Sequence, residues 1–257
     1  MAQGIQIRAV HELKDFDECL RLQQLTWGRE IAVPTAIFVV GEHTGGLTHA
    51  AYDGEKLIGF SMALAGHRDS LRFLHSHMAA VLPEYRDQGI GRALKLAQRA
   101  DAMTRGINLI EWTFDPLELK NAHFNFNRLG AIARIHIPNC YGITDSPLHG
   151  GLPTDRLVAE WWLDSPRVAG RMEPKAAGES SPGEIAPRIE IPANIGDLRE
   201  SDPERAMRIQ SSAREQFQKH FANGLVATSV EKSASGVSYL LEAGTSIAGL
   251  TLPPVGH

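Results

Sequence analysis

The chain has 257 residues, 43% of them apolar and 22% charged, with a net charge of −4 and a pI near 6.3. This length can bury a substantial core as one large or two small domains, and the mild acidity excludes nucleic-acid binding that relies on bulk positive potential. Cys19 and Cys140 lie far apart with no Cys-x-x-Cys or Cys/His companion, which excludes a zinc knuckle and a disulfide framework.

Residues 5–9 read as a short strand, and Leu13, Phe16, Leu20 and Leu25 recur at helical spacing over 11–27. The Gly45-Gly46 pair precedes a strand at 47–52. Asp53-Gly54 is a strong hairpin signal into a partner strand at 56–65. Residues 72–81 form the next strand, followed by a glycine-bearing turn and a helix to about Arg105, with a further strand at 109–114. A short helix over 121–129 ends at Gly130, a candidate C-cap, and 131–136 is again extended. A strand is expected at 157–163. Residues 164–188 carry Pro166, Pro174, Pro182 and Pro187 with several Gly and Ser, the composition of a linker with no folded unit. Beyond it, Ile189-Glu-Ile precedes a helix over 203–221 with Asp202 as its candidate N-cap, then strands at 225–230 and 237–241. The helix places Ile209, Ala213, Phe217 and Phe221 at helical spacing, so it needs a covering surface.

The most informative stretch is Val81-Leu-Pro-Glu-Tyr-Arg-Asp-Gln-Gly-Ile-Gly-Arg-Ala-Leu94, where a strand runs into a turn that opens a helix. Gly89 and Gly91 lack Cβ atoms, so several backbone N–H groups can converge on a phosphate at the positive end of the helix dipole. A Walker loop would need Gly-Lys before Ser or Thr, where this chain has Gly91-Arg92-Ala93; a dinucleotide loop would need a glycine at position 94, which is Leu. What remains, Arg86-x-x-Gly89-x-Gly91 after Val-x-Pro-Glu, resembles the acyl-CoA loop of the GNAT superfamily, the Gcn5-related N-acyltransferases.

The resemblance covers about residues 5–136 and is strongest over 75–94. The tail after it, Asn139-Cys-Tyr-Gly142 and Gly150-Gly-Leu-Pro-Thr-Asp-Arg156, is similar, more weakly, to that of a longer bacterial subgroup. It implies an α/β fold with a mixed, mostly antiparallel central sheet flanked by helices, and a small C-terminal α/β extension. The implied organisation is an acyl-CoA-binding N-acyltransferase domain at 1–163, a linker at 164–188, and an extension at 189–257 packing on that domain or on a partner subunit. It further implies acetyl-CoA or another acyl-CoA as co-substrate. Met78, Ala79, Ala80 and Val81 would lie along the pantetheine arm, and Arg86, Asp87, Gln88, Gly89, Ile90, Gly91 and Arg92 would hold the pyrophosphate. The helix face of Arg92, Lys95 and Arg99 is a candidate for the outer phosphate, or simply a solvated surface.

Amine acylation needs a base near neutrality, which makes histidine the first candidate. His75 and His77 alternate along one strand, so both imidazoles are expected on one side of the sheet. Their placement resembles the His-x-His of arylalkylamine N-acetyltransferases, which implies proton removal; a structural pair is the alternative, and no third residue suggests a metal site. In the superfamily a tyrosine four residues before a Leu-Gly glycine protonates the thiolate, but here that residue is Phe126, expected to pack against CoA or the core. Tyr141, Tyr85 or water could replace it. Trp27, Asp115, Arg134 and Asp155 are candidates for holding the acceptor, with Asp115 before Pro116 equally suited to forming a turn.

The reading is an enzyme that transfers an acetyl, succinyl or other short acyl group from acyl-CoA to a small-molecule primary amine or amino acid, without a metal. The rivals are a non-catalytic acyl-CoA sensor, kept alive by Phe126, and a peptide or protein N-acyltransferase. The N-terminus lacks a basic-then-apolar leader and no apolar run would span a bilayer, so a cytoplasmic protein is expected, with neither membrane nor nucleic acid as partner and a homodimer left open.

Overall fold

The computed structural model describes residues 4–29, 32–143, 150–172, 187–233, 236–246 and 252. Two compact units divide the chain, Met1–Trp112 and Thr113–His257.

The first unit opens with β1 (Ile5–Ala9), α1 (Leu13–Trp27) and α2 (Thr35–His43). It continues through β2 (Leu47–Asp53), β3 (Lys56–Arg68) and β4 (Leu71–Val81), a single turn at Pro83–Tyr85, α3 (Ile90–Thr104) and the start of β5 (Leu109–Phe114). Its strands lie in the order β1-β2-β3-β4-β5. The first three pairings are antiparallel, with the expected hairpin closing at Asp53↔Lys56. β4 and β5 run parallel. Apolar residues on both faces of β3 explain why helices cover both. At Gly59 an added Cβ would meet Leu94 of α3 at 3.5 Å, and at Gly41 of α2 one would meet Leu64 and Met62 of β3 at 3.0 and 3.2 Å. Phe16, Leu22 and Phe38 from α1 and α2, and Ile90 and Leu94 from α3, fill the core around Ile58, Phe60 and Met62. α2 is not evident from the sequence, because the helix is only nine residues long and carries Gly41 within it.

The second unit contains α4 (Leu119–His123), which widens into a π-turn at Phe124–Arg128, then β6 (Ile132–Ile137), β7 (Arg156–Trp162) and α5 (Pro166–Met172). After these come β8 (Arg188–Pro192), α6 (Ile195–Ser201), α7 (Pro203–Ala222), β9 (Leu225–Lys232) and β10 (Gly236–Ala243). The strands are ordered β7-β6-β9-β10-β8, each pair antiparallel. Asp202 caps α7 as expected, accepting from the Arg205 backbone N–H at 3.0 Å. Phe217 of α7 stacks on His136 of β6 and meets Tyr239 of β10 edge-on, so α7 finds its covering surface on this sheet. Gly130 ends the α4 turn with φ +79, and Arg171 and the Arg167 carbonyl crowd the place of a Cβ, so glycine is required there.

The stretch 164–188, expected to hold no folded unit, includes α5 and the first residue of β8. Pro166 opens α5, where its missing N–H costs nothing, while the Ser165 hydroxyl accepts from the Val168 N–H and Val168 is fully buried. Residues 173–186 of the expected linker lie outside the described residues.

Candidate active site

In the first unit the turn before α3 is shaped as an anion cradle. Asp87 and Gly89 both adopt left-handed backbone, φ +59 and +81, which curls the chain so that successive N–H groups turn to one side. The first helical hydrogen bond runs from the Ala93 N–H to the Gly89 carbonyl, so the N–H groups of Ile90 and Gly91 lie in the first turn, ahead of the regular helical ladder. A Cβ added at Gly89 or Gly91 would meet nothing within 4 Å, so no neighbouring side chain crowds the turn at these two positions. Arg86 braces the loop by donating from Nε to the Val81 carbonyl at 3.2 Å, and Gln88 donates to the Glu84 carbonyl. These residues fit the pyrophosphate of an acyl-CoA.

β4 leads into this cradle with an open edge. It pairs with β5 at Leu74↔Ile110 and His75↔Glu111, and beyond those positions residues 76–81 pair, among the described residues, only with β3. Met78, Ala79, Ala80 and Val81, expected along the pantetheine arm, all lie on this stretch.

The two histidines sit where the strands part. Pairing jumps from Met62↔Met78 to Ala63↔Ser76, which makes His77 the extra residue of a β-bulge. Strict alternation therefore fails there, yet the rings remain neighbours, with centroids 6.2 Å apart. Partial desolvation first, and then the charge of His75, lower the pKa of His77, although the residue keeps solvent access. Behind His75 stands Glu111 of β5, 6% exposed, with its Oε1 3.8 Å from His75 Nδ1. Arg68 donates to the same carboxylate from Nη2 at 3.0 Å. Burial would raise the Glu111 pKa, but the neighbouring His75 ring and the hydrogen bonds from Arg68 outweigh it and hold the group ionised. The sequence reading missed Arg68 and Glu111. A glutamate inside the apolar strand Leu-Ile-Glu-Trp-Thr-Phe was the available signal.

Lys95, expected as one of three cations facing the phosphates, is instead buried beneath β4. It donates to Ser76 Oγ at 2.7 Å, and burial lowers its pKa to about 7. Arg92 and Arg99 are half-buried. Trp27 packs edge-on against Phe60 as part of the core. Tyr85 donates its hydroxyl to Asp53 at 2.8 Å, and that bond raises its pKa.

The remaining sequence candidates belong to the second unit, and most are engaged internally. Phe126 is fully buried between Phe114 and Tyr239, so it is a core residue that offers no face to a nucleotide. Asp115 accepts from the Leu117 N–H at 2.8 Å, the turn-forming role, and from Arg199 Nη2 at 2.6 Å. Arg134 donates to Glu160 at 2.9 Å. Asp155 is clamped by Arg214 at 2.8 and 2.9 Å and by the Asn139 N–H at 3.0 Å. Burial alone would raise its pKa, but the adjacent His136 ring and the hydrogen bonds from Arg214 and the Asn139 backbone bring it down to about 2. Tyr141 is exposed, its hydroxyl 2.9 Å from Thr113 Oγ1 and its ring under the Arg156 guanidinium.

Residues 44–130 match the family model described as an acetyltransferase (GNAT) domain. That match takes in the glycine turn and both histidines and covers about a third of the chain. No curated protein sequence matches it. Among solved structures it is similar to yncA from Salmonella typhimurium, held with its cofactor acetyl-CoA, at 14% identity and a TM-score of 0.52, over 63% of this chain and 95% of that one. It is also similar to smu.2055 from Streptococcus mutans UA159, at 15% identity and TM-score 0.52 over 62% and 99% of the two chains. A GNAT-family protein from Desulfovibrio desulfuricans gives 17% identity and TM-score 0.51 over 62% and 99%. At such identities the likeness is one of fold, and it agrees with the mixed, mostly antiparallel sheet flanked by helices.

Proposed function

We propose that this GNAT domain moves an acetyl or other short acyl group, succinyl included, from acyl-CoA directly to a primary amine of a small molecule such as an amino acid. One observation carries the reading: a glycine turn at Gly89–Gly91 follows directly on β4, whose residues 76–80, among the described residues, pair with no strand on the β5 side. The cradle suits a pyrophosphate, and the free edge suits the two amides of a pantetheine arm, which can pair with it as an added strand would.

Proton removal from the acceptor ammonium falls to His77 and His75. A lowered pKa keeps the His77 imidazole neutral at physiological pH, as a base must be. The Glu111 carboxylate beside His75 Nδ1 favours a proton on that nitrogen and leaves Nε2 free to accept one. The acyl-transfer domain is proposed to span residues 1–163 with an extension at 189–257. Asp115, Arg134 and Asp155 are left out of the acceptor site, because their charges are already matched by internal partners. The test is a free-thiol release assay crossing acetyl-, succinyl- and longer acyl-CoAs with a panel of amines and amino acids. Amine-dependent thiol release supports transfer; CoA binding without release under any pair would make the chain a sensor.

A further inference from the structure

Lys95 occupies the point where β4 and β5 part. The last residues that the two strands pair are His75 and Glu111, and the next along each strand are Ser76 and Trp112. The Lys95 ammonium touches both of these: Nζ donates to Ser76 Oγ at 2.7 Å and stands 3.8 Å from the centroid of the Trp112 ring. Ser76 passes its own hydroxyl proton to Gln98 Oε1 at 3.1 Å, and the buried Gln98 Nε2 has no hydrogen-bond partner among the described residues. The lysine is 6% exposed, and burial is the one influence on its charge, with no carboxylate among the described residues offsetting it. A buried cation without a counter-ion is costly, and packing alone would be served by Met or Leu. Such a group marks a functional site.

Resting on the acyltransferase reading above, we propose that Lys95 is the proton donor to the thiolate released when acyl-CoA gives up its acyl group. An arm anchored by its pyrophosphate at Gly89–Gly91 and laid along the free edge of β4 runs back from Val81 toward Ser76. Those five residues span about 17 Å at ~3.3 Å each, close to the reach of two amides with their alkyl spacers, which brings the thioester to the fork. There the amine nitrogen bonds to the acyl carbon, the C–S bond breaks with its electron pair on sulfur, and a Nζ proton passes to that sulfur. Neutral Lys95 regains a proton from solvent as product leaves, and the proton taken from the acceptor ammonium resides on the histidines.

The acid and the base flank the fork from opposite faces. Neighbouring residues of a strand point to opposite sides, so Ser76 and Trp112 face α3 with Lys95, while His75 and Glu111 face away. The separation keeps the acid from quenching the base. Burial also fits the lysine for this step, since an ammonium brought down to about 7 protonates a thiolate of pKa about 8.5 downhill, where an ordinary lysine near 10.4 would do so uphill. The role also supplies the proton that Phe126, having no hydroxyl, cannot give.

The test combines two variants with a spectroscopic reading. Lys95→Met keeps the stem without the acid, and Lys95→Arg keeps the charge but does not release a proton below pH ~12. Turnover in both should fall about 10²-fold, CoA affinity by calorimetry should stay within about twofold, and the alkaline limb of kcat should vanish. In wild-type protein carrying ¹³C-lysine, the Lys95 Cε resonance should titrate near pH 7 and shift its midpoint upward when CoA is added. Wild-type turnover in Lys95→Arg would overturn the proton-transfer role. A Lys95 resonance indifferent to CoA, in protein that still transfers acyl groups, would overturn the placement while leaving the acyltransferase reading intact. Protein that neither binds CoA nor releases thiol would overturn that reading itself, and this proposal with it.

Discussion

Replacing Lys95 by Met should stabilise the protein, and by an amount that depends on pH. Burial brings the ammonium from 10.5 to about 7, roughly 3.5 units at ~1.36 kcal/mol each, so below pH 7 the charged side chain costs the folded state about 5 kcal/mol. The folded pKa lies below the unfolded one, so the unfolded chain binds the extra proton between these values. Wild-type stability must therefore rise with pH through that window. Between pH 6 and pH 9 the penalty shrinks by roughly 3 kcal/mol. Methionine keeps most of the stem's packing but gives up the bond to Ser76 and the contact with Trp112, each worth about 1 kcal/mol. The expected outcome is a variant more stable by about 3 kcal/mol at pH 6, with the gap nearly closed at pH 9. Urea unfolding of both proteins at the two pH values reads this directly, since other titrating groups cancel in the difference. A gap of the same size at both pH values would refute the reasoning, as it would mean that the lysine keeps its ordinary pKa in the fold.

Gly91→Glu should fill the cradle and set a negative charge against the pyrophosphate, so calorimetric CoA affinity should drop at least 10-fold with the fold retained; unchanged affinity would remove the cradle from the site. His77→Gln should lower turnover about 10²-fold with little change in CoA binding, and its combination with His75→Gln should lose less than the product of the two single losses. Glu111→Gln should move the His75 proton from Nδ1 to Nε2 in ¹⁵N imidazole spectra and slow turnover about 10-fold; an unmoved tautomer would deny Glu111 its positioning role. In the second unit, burial pushes the Asp155 pKa up but Arg214 and His136 outweigh it and hold it at about 2 in the fold against 3.8 in the unfolded chain, so its contribution of about 2 kcal/mol is present above pH 4 and is lost as pH falls through 2. Asp155→Asn should therefore flatten the acid limb of the stability curve measured by urea unfolding.

What the sequence determined by itself was local. The hairpin at Asp53-Gly54, the N-cap at Asp202 and the glycine turn before α3 each depend on a few adjacent residues, and backbone chemistry at those positions leaves few alternatives. The same holds for the nearness of His75 and His77, which survives the bulge between them because two residues along a strand is a short distance in any register. Tertiary structure decided which charges are spoken for. Asp115, Arg134 and Asp155 look like acceptor ligands in a linear chain, but Arg199, Glu160 and Arg214, from 26 to 84 residues away, neutralise them. It also decided what lies at the fork. Glu111 stands beside His75, and Lys95 beneath Ser76 and Trp112, only because β5 aligns with β4 for two residues and then leaves it. Where a ladder ends is fixed by the packing of α3 and both strands together, a many-body outcome that no window of sequence contains.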